Sequence, residues 1–296
     1  MGCCIGTVGL ASIVATANKD NRKRMLRKVR ISGDVGRADA AFVRRSMRDW
    51  YRQGLGRGLL DLEQAELDDV LPNLFGYYLI QIGCLVDADL LGASRVRYRV
   101  VVDELPLSAT ETAEHAHGSC IRANAEYLPV QRDSVDVVLL PHTLEFAADP
   151  HGVLREVERV LVPEGHVVIL GFNPWSMWGV RRLLTPRRAR LAPPWCGEFR
   201  SQLRIKDWLA LLGFDVVVSH RYFFRPPITH NGVMRRLEFA ERVGRRWWPI
   251  LGGAYMLVAK KRVATLTPIK PRWRPRRSLI RADAVKPTTF SSRKRA

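Results

Sequence analysis

The sequence lacks the features that mark several large classes of protein. Its 296 residues include 5 cysteines, an odd number without a CxxC pair, so neither a disulfide framework nor a zinc site is indicated. No apolar run reaches the roughly 18 residues of a membrane-spanning helix, since the uncharged stretch at residues 3–18 is too short. No internal repeat is apparent. We therefore expect a cytoplasmic protein without a metal.

The charge of the chain is unevenly distributed. Most of the net charge of +19 lies at the ends, because residues 1–50 hold 11 Lys/Arg and 4 Asp/Glu, and residues 260–296 hold 13 and 1. The middle is polarised, with 9 basic and 19 acidic groups in residues 51–175 against 15 and 5 in residues 176–250. Two interpretations follow. The basic part is either a solvated surface or a face that meets an anionic partner.

Seven apolar runs alternate with helical patterns along the chain. They lie at residues 78–82, 97–102, 118–122, 135–140, 166–172, 215–221 and 254–260. Most are continuous runs of Val, Ile and Leu, as in strands that are covered on both faces. The clearest helix should begin at Asp149, a capping residue, with Pro150 in its first turn. The alternation predicts an α/β fold with a doubly wound, mostly parallel seven-stranded sheet, whose ligands bind beyond the carboxyl ends of the strands.

The chain divides into one domain and two terminal segments. We expect residues 1–46 to be poorly ordered or translated from a wrong start, because Met25 and Met47 could each begin the chain. Residues 47–263 form the predicted domain, with helices at 47–75. The tail, residues 264–296, combines prolines with alternating basic residues and is expected to be disordered.

Two insertions, residues 173–203 and 222–250, are longer than the predicted fold requires and should overhang the crevice on the substrate side. They hold most of the basic groups of residues 176–250. The first contains Arg181, Arg182, Arg187, Arg188 and Arg190. Such segments could recognise an anionic or nucleic-acid substrate, or rest on a membrane surface.

A longer motif narrows the class of protein. The stretch "ANAEYLPVQRDSVDVVLLPHTLEFAADPHGVLREVERVLVPEGHVVILGFNP", residues 123–174, resembles the central part of the class I S-adenosylmethionine-dependent methyltransferases. The closest resemblance is to the methyltransferase type 11 group, which includes the ubiquinone and menaquinone methyltransferases. It covers residues 123–174 closely and 76–260 loosely. It implies a Rossmann-like methyltransferase fold, S-adenosyl-L-methionine as cofactor, and an acceptor that the sequence does not identify.

The first strand departs from this family. There the family has an acidic residue followed by a glycine-rich loop that approaches the cofactor. This chain has Gln81, then Gly83 as the single remaining glycine, and Leu85 on the usual cofactor path. Gln81 could still hydrogen-bond a polar group of the cofactor. The eroded loop also supports an alternative, a non-catalytic methyltransferase-like module used for binding or as a scaffold.

Further cofactor contacts are implied at the ends of the next three strands. Asp103, with Glu104 as its substitute, would accept hydrogen bonds from the ribose hydroxyls. Asn124, with Ala125 beside it, would accept a hydrogen bond from the adenine amino group. The alternative for Asn124 is to cap the following turn. Pro141 would line the cofactor at the end of the fourth strand.

Methyl transfer depends mainly on alignment, with a general base needed only when the nucleophile begins protonated. His142 stands where the family lines the space beside the transferable methyl group, so it is the candidate base, and Glu145 is a weaker one. The alternative for His142 is to pack on the cofactor or bond a loop. Asn173 and Trp175 should shape the substrate pocket, with Trp178 as its wall.

Overall fold

A computed structural model of the chain describes residues 43, 45–84, 89–104, 118–186, 194–226 and 248–262. Contacts divide the chain into a unit of residues 1–263 and a unit of residues 264–296. The second unit, most of the predicted N-terminal segment and most of the second insertion lie outside the described residues. The same holds for four residues singled out above, namely Leu85, Arg187, Arg188 and Arg190.

The seven predicted strands form one sheet. They are β1 Tyr78–Ile82, β2 Tyr98–Asp103, β3 Gly118–Arg122, β4 Val135–Pro141, β5 Leu161–Phe172, β6 Phe214–Tyr222 and β7 Ala254–Lys261. Their order is β3-β2-β1-β4-β5-β7-β6, and all neighbours are parallel except that β7 runs antiparallel to β5 and β6. The prediction of a doubly wound, mostly parallel sheet is therefore confirmed. Strand β5 begins before the predicted residue 166, because Leu161 already pairs with Val135.

Helices cover both faces of this sheet. They are α1 Gly54–Val70, α2 Thr143–Phe146, α3 Pro150–Val160, α4 Met177–Leu184 and α5 Gln202–Leu211, with 3₁₀ turns at Leu71–Asn73 and Pro249–Leu251. Residues 45–51 are also helical. Helix α3 begins as predicted after Asp149, but the Asp149 side chain makes no capping hydrogen bond. Its Oδ2 instead lies 3.5 Å from Nη2 of Arg155.

The core has one layer on each face of the sheet. Leu79 in β1 and Val137 in β4 point into the first layer, together with Leu59 of α1. The next strand residues, Ile80 and Val138, point into the second layer, which α3 and α5 complete. This alternation is the period of a β-strand, and burial on both faces explains why the strands are apolar throughout.

Asp136 fixes the start of β1. Its Oδ2 accepts hydrogen bonds from the backbone N–H groups of Tyr77, at 2.8 Å, and Tyr78, at 2.9 Å. Gly76 precedes them with a φ of +156°, and a Cβ there would lie 2.2 Å from Cβ of Asp136. A carboxylate in β4 thereby joins the neighbouring strand at the end opposite to the predicted crevice.

Replacing Asp136 by Ala should destabilise the protein, because two backbone donors lose a charged acceptor. We expect the free energy of unfolding in urea to fall by about 1–3 kcal/mol. Asp149→Ala, which removes an exposed carboxylate, should change it by less than about 0.5 kcal/mol. Equal destabilisation by the two changes would contradict the assigned role of Asp136.

Candidate functional site

The predicted cofactor residues lie side by side at one edge of the sheet. In the parallel ladders Ile82 pairs with Val102, and Asp103 pairs with Arg122. Because the strands are parallel, their carboxyl ends meet at the same edge. The residues that follow or end these strands are therefore neighbours, and they are Gly83, Asp103, Asn124, Ala125 and Pro141.

The loop after β1 requires a glycine. Gly83 has a φ of +92°, and a Cβ there would lie 3.0 Å from Oγ1 of Thr143. The Thr143 hydroxyl donates a hydrogen bond to the carbonyl of Ile82. Gln81 is buried, and its Nε2 donates to the carbonyl of Gly83 at 3.0 Å. The buried Gln81 side chain thus supports the loop. Any larger residue at position 83 would have a strained backbone.

The backbone of the next residue, Cys84, is bonded by charged groups at both its carbonyl and its N–H. Arg48 donates to the carbonyl of Cys84 through Nε at 3.1 Å and Nη2 at 3.0 Å. The N–H of Cys84 donates to Oδ2 of Asp103 at 2.8 Å. All three residues are buried, so these charge-assisted bonds are shielded from water. No pattern in the sequence pointed to Arg48, since it lies 36 residues away from its partner.

Asn124 caps the turn that follows β3. Its Oδ1 accepts a hydrogen bond from the N–H of Glu126 at 2.8 Å, and its carbonyl accepts one from the N–H of Tyr127 at 3.1 Å. This is the alternative that the sequence left open. The Asn124 side chain is exposed and Ala125 is half-buried. An amide oxygen has two lone pairs, so the turn does not prevent a second hydrogen bond.

His142 lies at the centre of a buried ionic group. Its Nε2 is 2.7 Å from Oε1 of Glu63, and its Nδ1 is 3.1 Å from Oε2 of Glu145. The other oxygen of Glu145 accepts a hydrogen bond from the N–H of Phe172. The backbone of His142 is left-handed, with a φ of 53°, a strained conformation for this residue. The arrangement joins α1, the end of β4 and the end of β5.

The same contacts set the charge of the imidazole. Burial alone would lower the pKa of His142, but the charges and hydrogen bonds of Glu145 and Glu63 outweigh burial and raise it to about 10. At neutral pH the ring is therefore protonated, with both nitrogens directed at carboxylates. This geometry does not favour the general-base role that the sequence suggested for His142.

Asn173 is committed to the backbone of a neighbouring loop. Its Nδ2 donates to the carbonyls of Ile250 and Gly252, both at 2.9 Å, and its Oδ1 accepts from the N–H of Trp175 at 3.1 Å. Trp175 is 71% exposed, whereas Trp178, predicted as a pocket wall, is buried. The pocket roles of Asn173 and Trp175 stay predictions.

Large apolar side chains are exposed around Asn173. On α4 they follow a helical spacing at Met177, Val180 and Leu184, and the last of these is 79% exposed. Across the Asn173 hydrogen bonds lie Trp248, Ile250 and Leu251. We call these residues, with Trp175 and Leu183, the apolar patch. Exposed apolar side chains in such numbers are typical of interaction surfaces.

The described part of the chain shows neither a metal-binding group nor a membrane-spanning helix. Among those residues, no group of three or more His, Cys, Asp or Glu side chains could hold a metal ion. Within the same ranges, no helix has both the length and the apolar character needed to cross a membrane.

The ionic group of His142 should make stability depend on pH. Its pKa in the folded protein, about 10, lies above the ordinary value of 6.5, so its contribution is complete below pH 6.5 and is lost as pH rises through 10. We expect the free energy of unfolding to fall by a few kcal/mol between neutral pH and pH 10. His142→Gln should lower stability at neutral pH and flatten this dependence.

His151→Gln, on the exposed start of α3, serves as the control and should keep the wild-type dependence. Chemical unfolding followed at several pH values measures all three proteins. Equal stability of the wild type at neutral pH and at pH 10 would contradict the assignment of a buried imidazolium.

Comparisons with known proteins agree with the fold and its motifs. A family model described as a methyltransferase domain matches residues 80–169. The uncharacterized protein YafS from Escherichia coli (strain K12) is 32% identical over 217 residues, which are 73% of this chain and 78% of YafS. A demethylmenaquinone methyltransferase from Chlamydia pneumoniae is 30% identical over 83 residues, 27% of this chain and 36% of that protein.

A solved structure shows the same architecture. It is a SAM-dependent methyltransferase from Thermotoga maritima, with a TM-score of 0.52 and 16% identity, covering 72% of this chain and 93% of that one. At this identity the similarity shows the fold. The match to YafS has the identity and coverage needed to show a family as well as a fold. The chain belongs to the family of YafS, and its residues 80–169 match a methyltransferase domain.

Proposed function

We propose that this methyltransferase acts on an amphipathic acceptor that is presented at an anionic membrane surface. The observation that carries the proposal is the apolar patch beside the carboxyl ends of β5 and β6. S-adenosylmethionine supplies an electrophilic methyl group on a sulfonium. The protein must hold it beside the acceptor and exclude water.

The half of the carboxyl edge where β3, β2, β1 and β4 end, which we call the cofactor half, fits this cofactor. Gly83 keeps the backbone free of a side chain at the turn, and Asp103 places a buried carboxylate beside it. A carboxylate suits a ribose diol, because each oxygen can accept a hydrogen bond from a hydroxyl. We assign Asn124 and Ala125 to the adenine, and Pro141 would line the cofactor. Gln81 and Arg48 support the loop, which offsets its missing glycines.

We assign the other half of the edge, where β5, β7 and β6 meet, to the acceptor and call it the acceptor half. Phe172 and Tyr222 both pair with Ala254, so the ends of β5 and β6 flank the start of β7. Just beyond this point Asn173 ties residue 250 to the turn before α4. The apolar patch surrounds that junction. An acceptor that approaches over the patch would reach His142 and Phe172 at the middle of the edge.

The composition of the patch favours lipid over nucleic acid. Aliphatic side chains such as Leu183 and Leu184 gain free energy in the acyl region of a bilayer, whereas phosphates and stacked bases offer them little. The sequence supplies the matching charge, with 15 basic and 5 acidic groups in residues 176–250. Apolar side chains combined with basic groups in the same stretch of sequence are typical of an interfacial membrane-binding segment.

The role of Asp103 can be tested by calorimetry with S-adenosylhomocysteine. Asp103→Ala should weaken binding by about 1–3 kcal/mol, the loss expected for hydrogen bonds to a charged group. Asp103→Asn keeps an acceptor for the N–H of Cys84 and should lose less. Glu104→Ala, the control, should bind as the wild type does.

Two results would contradict this assignment in different ways. Full affinity of a folded Asp103→Ala protein, with loss in Glu104→Ala, would move the ribose contact to Glu104. Absence of heat from the wild type at millimolar ligand would instead favour the non-catalytic scaffold.

The membrane proposal is tested with vesicles made of equal parts of phosphatidylglycerol and phosphatidylcholine. The double change Leu183→Glu and Leu184→Glu should weaken co-sedimentation about tenfold or more, since burying one leucine contributes about 1.5–3 kcal/mol. Leu203→Glu with Leu211→Glu is the matched control, because both side chains are exposed on α5, over the other face of the sheet. That control should bind as the wild type does.

Vesicles of phosphatidylcholine alone should bind more weakly, because the basic groups lose their anionic partners. Equal binding by the two double variants would contradict the proposal. So would binding of a single-stranded RNA oligonucleotide without binding of either vesicle.

A further inference from the structure

Three buried polar atoms near His142 have no hydrogen-bond partner among the residues that the structure describes. They are the hydroxyls of Tyr51 and Tyr222 and the Oε2 atom of Glu63. The exposed fractions of these residues are 2%, 0% and 1%. Leaving a buried polar group unpaired costs about 1–3 kcal/mol, so three together need an explanation.

The three groups lie close to one another. Burial, followed by the charge of Glu63, holds the phenol pKa of both Tyr51 and Tyr222 well above its usual range. Both hydroxyls therefore stay protonated and can donate. The Tyr51 hydroxyl lies near enough to Glu63 for a contact with the carboxylate to add to its pKa shift. Neither phenol oxygen meets Glu63 Oε2 in a well-formed hydrogen bond. The group thus offers two donors and one carboxylate acceptor, with Tyr51 beside the carboxylate and no well-formed hydrogen bond among the three.

The position of these atoms matches the acceptor half of the edge. Tyr222 ends β6, and the ring of Tyr51 lies 6.3 Å from that of His142. The ring of His142 lies 4.4 Å from that of Phe172, which ends β5. The group therefore lies at the middle of the carboxyl edge. It is next to the end of β4, where the cofactor half begins.

Glu63 differs from the other two members of the ionic group. Both nitrogens of His142 are directed at carboxylates, and both oxygens of Glu145 accept hydrogen bonds. Glu63 uses only Oε1, toward His142, and its Oε2 stays unpaired. Of these three side chains, Glu63 alone has an atom that can receive a proton from a ligand.

We propose that Tyr51, Glu63 and Tyr222 bind the hydroxyl or amino group of the methyl acceptor, and that Glu63 Oε2 takes its proton during transfer. The inference rests on the proposed function and names the chemistry of its acceptor site. The two phenols donate to the lone pairs of the acceptor atom, and Glu63 accepts its O–H or N–H. His142 is then a positioning residue, because it holds the Glu63 carboxylate in place.

Atoms and charge balance in this step. The acceptor's O or N atom forms the bond to the methyl carbon as the carbon–sulfur bond breaks, and that electron pair remains on sulfur. The acceptor proton passes to Glu63 Oε2 and from there to water once the product leaves. No oxidant or metal is required.

The test uses small probes in place of the unidentified acceptor, with the full-length protein and no vesicles. Phenol and benzylamine carry the proposed donor group, and toluene lacks it. Binding is measured by ligand-observed NMR in the presence of S-adenosylhomocysteine. The variants are Tyr51→Phe, Tyr222→Phe and Glu63→Gln. The control is Tyr255→Phe, since that buried hydroxyl already donates to the carbonyl of Arg200 at 3.2 Å.

We expect the wild type to prefer phenol or benzylamine to toluene, and the preference to fall about tenfold in each variant but not in Tyr255→Phe. Without probe, Tyr51→Phe and Tyr222→Phe should leave the melting temperature unchanged or higher, because an unpaired buried hydroxyl is removed. Tyr255→Phe should lower it. A merely structural role for Tyr51 and Tyr222 predicts the reverse.

Equal binding of toluene and phenol by the wild type would overturn the inference, and so would an unchanged preference in Glu63→Gln. These failures are distinct from failure of the proposed function. That function fails if S-adenosylhomocysteine does not bind or if anionic vesicles are not bound through the apolar patch. Neither result depends on Tyr51, Glu63 or Tyr222.

Discussion

The rest of the site depends on the buried imidazolium of His142 between two carboxylates. Glu63 links α1 to His142. Glu145 bonds both His142 and the N–H of Phe172 at the end of β5. Removing one partner of a buried ion pair typically costs about 3–5 kcal/mol, because the other charge is left unpaired. The helix that precedes the sheet is therefore part of the site and does not merely cover the fold.

A second set of charges organises the cofactor half of the edge. Arg48 donates to the carbonyl of Cys84, Asp103 accepts from its N–H, and Gln81 donates to the carbonyl of Gly83. In a glycine-rich loop the backbone is free to approach the cofactor. Here fixed hydrogen bonds set the shape of the loop, and in the proposed function they take the place of the glycines that are missing. Rigidity of this kind lowers the entropy cost of binding when the loop already has the bound shape.

Much of this architecture could be predicted because its signals are local. Buried strands are continuous apolar runs, and residues after parallel strands share one edge, which placed Gly83, Asp103 and Asn124 together. The partners that complete the site gave no such signal. Arg48 is 36 residues from Cys84, and Glu63 is 79 residues from His142. Both lie on helices whose apolar spacing predicts only which face is buried. Their polar contacts depend on how the helices pack against the sheet, which the spacing does not predict.

Hydrogen exchange tests the central claim that the carboxyl edge has a cofactor half and an acceptor half. Adding S-adenosylhomocysteine should protect the backbone amides at the ends of β1, β2 and β3, residues 81–84, 101–104 and 122–125. The amides at residues 172–178 and 218–223 should exchange as before, because the acceptor half stays empty. Protection confined to the second set, or none in either, would contradict the account.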